Sequence, residues 1–266
     1  VLTLGDKGEK FRNNNNQIQQ KAELVMEQFH RHSPNIVAAF ETRARAGSWE
    51  TDHFFVYSSG ACKGNFGAQI WVAKDEPYAT IDGTSYRFSF RDFSQIHADP
   101  RRLIGRIISK HIDVHVAAFH APHSESNCNV VDWWDETRQM LENLPNLVIL
   151  TDANATLGEE NSSAVGPCGA EPQNLCGDKF HELLIALHMH VPATFNDLEH
   201  QTTWTANVGQ GKFKHRLEYV ALPLAWQNAI NDIGTITDID LLNKVDDHHA
   251  QPTVSILYDI LICNSR

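Results

Sequence analysis

The chain has 266 residues, 42% of them hydrophobic and 21% charged, which is enough apolar material for a sizeable core. With 22 Lys and Arg against 33 Asp and Glu, its formal charge is −11. That balance argues against a protein that holds polyanions by bulk positive charge, but not against an enzyme that grips a phosphate through a metal ion on carboxylates. No apolar run reaches the roughly 18 residues needed to span a bilayer, and no basic-then-apolar start marks a signal peptide.

In chain order, Gln17 to His30 is predicted to be a helix, with Ile18, Leu24, Val25 and Phe29 near one face. Pro34 ends it, and IVAAF at 36–40 follows as a buried strand. FFVYSS (54–59), AQIWVA (68–73), IDVHVAAF (112–119) and NLVILT (146–151) are further strands. VVDWWDETRQMLENL (130–144) and KFHELLIALHM (179–189) have helical periodicity, and RLEYVAL (216–222) and TVSILYDIL (253–261) are late strands. So many adjacent strands do not suit a purely parallel wound sheet. Two sheets packed face to face with helices outside would satisfy the order, within a single domain over 1–266. Of the five cysteines, none form a CxxC pair; reduced thiols in an intracellular compartment are expected, with Cys168–Cys176 the one plausible local bridge.

Apolar strands repeatedly end in a short polar group. IVAAF leads into Glu41-Thr42-Arg43, VHVAAF into His120-Ala121-Pro122-His123, and LVIL into Thr151-Asp152-Ala153-Asn154. Asp246-Asp247-His248-His249 precedes the last strand. Strand ends fix geometry and loops face solvent, so this is where sheet proteins build sites. Glu41 and Asp152 are hard oxygen ligands suited to Mg²⁺ or Mn²⁺. Asn154 can donate an amide N–H to a phosphate oxygen or a water. His120 and His248 can act as general acid and base, with Asp247 holding an imidazole in its tautomer. Taken singly, each group has an ordinary reading as a solvated acid, a turn or a packing histidine. The functional reading rests on all of them together, each at the end of an apolar strand.

This order of motifs resembles the endonuclease/exonuclease/phosphatase superfamily, which includes deoxyribonuclease I, abasic-site endonucleases, inositol-phosphate phosphatases and retrotransposon endonucleases. The family's Gln-Glu falls on Phe40-Glu41, its Gly-Asp-x-Asn on residues 151–154, and its Ser-Asp-His on residues 246–248. His120 stands where the deoxyribonuclease I branch keeps a histidine. From 165 to 220, VGPCGAEPQNLCGDKFHELL, ATF, HQTTW and KHRLEYV are similar to non-LTR retrotransposon endonuclease domains.

The resemblance implies a four-layer α/β sandwich and a Mg²⁺- or Mn²⁺-dependent DNA endonuclease. Glu41, Asp152 and Asp247 would be its metal carboxylates, and His120, Asp152, Asn154, Asp247 and His248 its catalytic groups. Arg43, Thr203, Trp204 and Arg216 would meet the substrate. DNA is the expected partner, in a stand-alone protein or as part of a larger polyprotein or complex. There are two departures. The family's Arg-Ile-Asp-Tyr is Arg216-Leu217-Glu218-Tyr219 here, with an acid one methylene longer, and the family's opening Asn is expected to lie before Val1. Two alternatives stand beside the nuclease: a phosphoinositide or sphingomyelin phosphodiesterase, and a catalytically degenerate binding or structural subunit.

Overall fold

In the computed structural model, which describes residues 15–123, 129–199, 202–208, 211–236, 238–239 and 254–258, the early apolar runs become strands of one antiparallel sheet. The chain divides into two units: Val1–Asp113 with Asp238–Asp247, and Val114–Thr237 with His248–Arg266. Residues 1–14, including the VLTL segment, and residues 240–253, including Asp246 to His249, lie outside the described residues.

In the first unit, α1 (Asn15–His30) precedes β1 (Ile36–Ala39), β2 (Gly47–Glu50), β3 (Phe54–Ser58) and β4 (Gln69–Ala73). The sheet runs β1-β4-β3-β2, every pair antiparallel. All side chains of β3 and β4 are buried, which is why these segments read as unbroken apolar runs rather than alternating ones. Helix α1 buries Val25, Met26 and Phe29, and the Phe29 ring meets Trp71 edge-on at 5.8 Å. Leu24, placed on that face by the sequence reading, is 57% exposed. At about 100° per residue it stands about 140° round the helix from Phe29, beyond the packed stripe.

The unit continues through β5 (Ala79–Ile81), β6 (Thr84–Tyr86), β7 (Phe93–Asp99) and β8 (Arg102–Ser109). The β7–β8 hairpin was not legible as two strands. Gly105 interrupts the second, and a polar half-exposed face disguises the first. The glycine has a reason to be there, because a Cβ at 105 would come within 2.2 Å of the Phe93 ring crossing over it. That ring in turn stacks on Tyr57 at 4.0 Å.

The second unit holds β9 (Ile112–His120, starting at the boundary), α2 (Val130–Leu141), β10 (Leu147–Asp152), α3 (Leu175–Ala186) and β11 (Met189–His190). These are followed by β12 (Trp204–Val208), β13 (Gly211–His215), β14 (Glu218–Pro223), β15 (Asp232–Ile236) and β16 (Val254–Tyr258). Its main sheet contains the order β11-β14-β10-β9. β9 and β10 are parallel, with α2 as their crossover, while β14 is antiparallel to both β10 and β11. The protein is therefore mixed α/β with two main sheets, as expected.

Helix α3 starts four residues before Lys179, because the Asn174 side chain accepts the Gly177 N–H and caps it there. The helix ends before His188, which turns left-handed at φ +52° and sends Met189-His190 into a strand. Phe119, Trp133, Trp134, Phe180 and Tyr219 form a continuous aromatic cluster that packs α2 and α3 on this sheet, with centroids 5.1–5.8 Å apart. Cys168 and Cys176 are not joined; the Cys176 thiol donates to the Pro122 carbonyl at 3.2 Å.

At the β7–β8 turn, Asp99 Oδ1 accepts the Arg101 and Arg102 amides at 2.8 and 2.9 Å. Its Oδ2 accepts from Arg102 Nε at 2.6 Å and lies 2.9 Å from His97 Nε2. Burial opposes the charge, but the hydrogen bonds from His97 and Arg102 outweigh it and hold the carboxyl below its ordinary range. A depressed folded pKa stabilises the fold above the unfolded value and is lost as pH falls through the folded one. Asp99→Ala is expected to cost about 1.5–3 kcal/mol at pH 7. In urea melts its deficit should shrink below about pH 4; an undiminished deficit there would count against a charge effect.

Candidate active site

Strand register assembles the site. In the parallel pair, Asp152 stands opposite His120, and in the antiparallel pair it stands opposite Glu218. The neighbouring row is Phe119, Thr151 and Tyr219. Because side chains alternate along a strand, the aromatic row faces the helices, and His120, Asp152 and Glu218 line up on the other face.

Asp152 is wholly buried, and His120 is 8% exposed. His120 Nε2 lies 3.7 Å from Asp152 Oδ2. Asp152 Oδ1 accepts the backbone N–H of Asn154 at 3.2 Å. Asn154 is left-handed at φ +48°, its Nδ2 donates to Ala121 O at 2.8 Å, and its carbonyl accepts from Asn174 Nδ2 at 3.0 Å. The loop after β10 is thereby tied both to the end of β9 and to the cap of α3. Gly177 permits this approach, since a Cβ there would sit 2.2 Å from Thr156 O.

Glu218 is held by Thr203. The buried Thr203 hydroxyl accepts the Leu217 and Glu218 amides at 2.9 and 3.1 Å and donates its own proton to Glu218 Oε2. Burial first, and then the Asp152 carboxylate beside it, push the Glu218 carboxyl up from its ordinary value. Burial likewise pushes the Tyr219 phenol up, so it stays a donor, within reach of Arg216 O at 2.6 Å and Ala155 O at 2.9 Å.

No family model and no curated protein matches the sequence. Solved structures do match along nearly its whole length. One is the endonuclease domain of TRAS1, a telomere-specific non-LTR retrotransposon: 16% identical, covering 90% of this chain and 92% of that one, TM-score 0.56. The chain has the endonuclease/exonuclease/phosphatase fold. An AP endonuclease from Archaeoglobus fulgidus matches at 15% identity over 91% and 95% of the two chains, TM-score 0.60. The 3′ phosphatase NExo from Neisseria, bound to product DNA hairpin, matches at 13% over 92% and 95%, TM-score 0.56. At such identities the likeness establishes the architecture and leaves the chemistry to the residues.

Within this fold the second unit brings together His120, Asp152 and Asn154, and adds Glu218, which the sequence reading treated only as a departure from the family pattern. Arg216 is buried, with Nη1 near Ala193 O at 3.3 Å and Cys168 O at 3.4 Å. Trp204 is half-buried and stacks on His215 at 5.7 Å. Sequence reasoning missed Glu171, whose carboxylate accepts the Arg216 amide at 2.9 Å and pairs with His215 Nδ1; nothing in a polar loop 45 residues from Arg216 signals that contact. Glu41 and Arg43 belong to the first unit, where both are part-exposed at the end of β1 with left-handed backbones, φ +48° and +51°. The expected Asp247 and His248 lie outside the described residues.

Among the described residues, no three His, Cys, Asp or Glu side chains are grouped to hold a metal ion. Mg²⁺ does not demand such a cage: it keeps several waters and takes one or two carboxylates plus substrate phosphate. A part-exposed carboxylate such as Glu41 fits that chemistry.

A carboxyl whose folded pKa is raised stabilises the fold below its unfolded value, and that contribution is lost as pH rises towards the folded value. In EDTA, Glu218→Gln is expected to leave thermal stability near that of the parent at pH 4 and to raise it at pH 8. A variant less stable than the parent at both pH values would contradict the raised pKa.

Proposed function

We propose that the protein is a Mg²⁺-dependent phosphodiesterase that cleaves DNA endonucleolytically. The observation that carries this reading is the His120–Asp152–Glu218 row with Asn154 beside it, on a fold whose solved examples include endonucleases. An imidazole 3.7 Å from a fully buried carboxylate, at the end of a buried strand, is placed where a group that holds or moves a proton is needed.

The roles follow from the chemistry of each side chain. Hydrolysis forms a bond from a water oxygen to phosphorus and breaks the bond to the leaving alkoxide; one proton leaves the water and one reaches the alkoxide. We assign the first to His248, with Asp247 as its partner, and the second, or a hydrogen bond to the phosphoryl oxygen, to His120, whose Nε2 lies 3.7 Å from Asp152 Oδ2. The Asn154 amide positions the water or the phosphate. Glu41, Asp152 and Asp247 are the carboxylates that would hold Mg²⁺ or Mn²⁺, and the ion would supply neutralisation of the charge developing on the phosphoryl oxygens. Arg43 and Trp204 are assigned to the nucleic acid, while Thr203 holds Glu218 and Arg216 ties the backbone carbonyls of Cys168 and Ala193.

Nicking of supercoiled plasmid in Mg²⁺ tests the reading. His120→Ala and His248→Ala are each expected to lose about 10²–10⁴ in rate with an unchanged melting temperature. Wild-type-like nicking by His248→Ala, or hydrolysis of inositol phosphates or sphingomyelin in preference to DNA by the parent, would sink it.

A further inference from the structure

The first unit holds an unusual amount of left-handed backbone in two facing loops. Glu41 and Arg43 are left-handed on one side, and Lys63 and Phe66 at φ +50° and +65° on the other. None of the four is glycine, and such conformations persist only where surrounding structure enforces them. The enforcing contacts are backbone bonds. Thr42 N–H donates to Gly67 O at 3.1 Å, Arg43 N–H to Phe66 O at 2.8 Å and Ala61 N–H to Ala44 O at 2.9 Å. The Thr42 side chain, wholly buried, donates from Oγ1 to the same Gly67 carbonyl at 3.3 Å.

The second loop is braced from behind. Gly67 N–H donates to Pro100 O at 2.7 Å, in the β7–β8 turn that Asp99 organises. The Arg101 guanidinium lies 4.0 Å over the Phe66 ring. Gly67 is itself at φ +100°, and a Cβ there would approach Thr42 Oγ1 to 2.7 Å. The chain of contacts runs from the Asp99–Arg101 turn, through Phe66 and Gly67, to Thr42, and so to the backbone on either side of it.

We infer that Thr42, Gly67 and Arg101 are positioning residues for the Glu41 carboxylate: the loop over 60–67, braced by the β7–β8 turn, sets the left-handed bend that aims Glu41 at its cation. This inference rests on the reading of Glu41 as a metal carboxylate. Groups that orient a ligand typically alter metal affinity about 10–100-fold when removed.

The test is calorimetric Mn²⁺ binding to the full chain without DNA, alongside melting temperature. Thr42→Val keeps the shape of the side chain and removes only Oγ1, and Arg101→Ala removes the brace without touching the backbone; each is expected to weaken Mn²⁺ binding about tenfold. Thr42→Ser should restore near-parent affinity. Gly67→Ala should have the largest effect, and if it fails to fold the other variants still decide. Unchanged Mn²⁺ affinity in both Thr42→Val and Arg101→Ala, with only the melting temperature lowered, would overturn the positioning role while leaving Glu41 as a ligand. A parent that binds no Mn²⁺, or a Glu41→Gln variant that binds it as the parent does, would overturn the metal assignment and the inference together.

Discussion

The pairing of β10 with β9 on one edge and β14 on the other is the constraint on which the second unit depends. Asp152 is the last residue of a central strand, and its neighbours in register are His120 and Glu218. Because side chains alternate with period two, a slip of one residue would exchange this row for the aromatic one. Phe119 and Tyr219 would leave the helices, and the charged groups would enter the apolar layer under α2 and α3. Packing and chemistry are thus locked by one register: the cluster from Phe119 to Trp134 and Phe180 fixes where the carboxylates stand.

That arrangement also settles the electrostatics. Two carboxyl groups, the buried Asp152 and the half-buried Glu218, lie side by side on adjacent strands. Burial and mutual repulsion favour a proton on one of them, and Glu218 is the one pushed up. Thr203 has its lone pairs committed to two amides, so its proton goes to Glu218. The longer side chain at this position is accommodated within the row and secured by a hydroxyl from the start of a neighbouring hairpin.

Much of this was written in the sequence, and the parts that were not share a physical reason. Long apolar runs such as FFVYS and VHVAAF gave their strands away because buried strands have no competing pattern. The polar groups ending those strands marked His120, Asp152 and Asn154 for the same reason. The β7–β8 hairpin escaped because its identity lies in a cross-strand contact, Phe93 over Gly105, which no local window contains. The start of α3 escaped because a capping asparagine looks like any loop asparagine until its amide partner is known. Leu24 was misplaced by a single helical step, enough to move it from core to surface. Glu171 and Thr203 act through hydrogen bonds to backbone distant in the chain, a kind of contact with no periodic signature.

Asn174 closes a circle between folding and chemistry. One of its amide atoms starts α3, and the other holds the carbonyl of Asn154 beside Asp152. The first turn of a helix is ordinarily the place where a structure frays. Here fraying would also remove one of the two ties on the loop that carries the aspartate's neighbour, so the start of α3 and the order of that loop are coupled through a single side chain. The asparagine therefore makes the helix's first turn a structural support for a strand end that it never touches through the sheet.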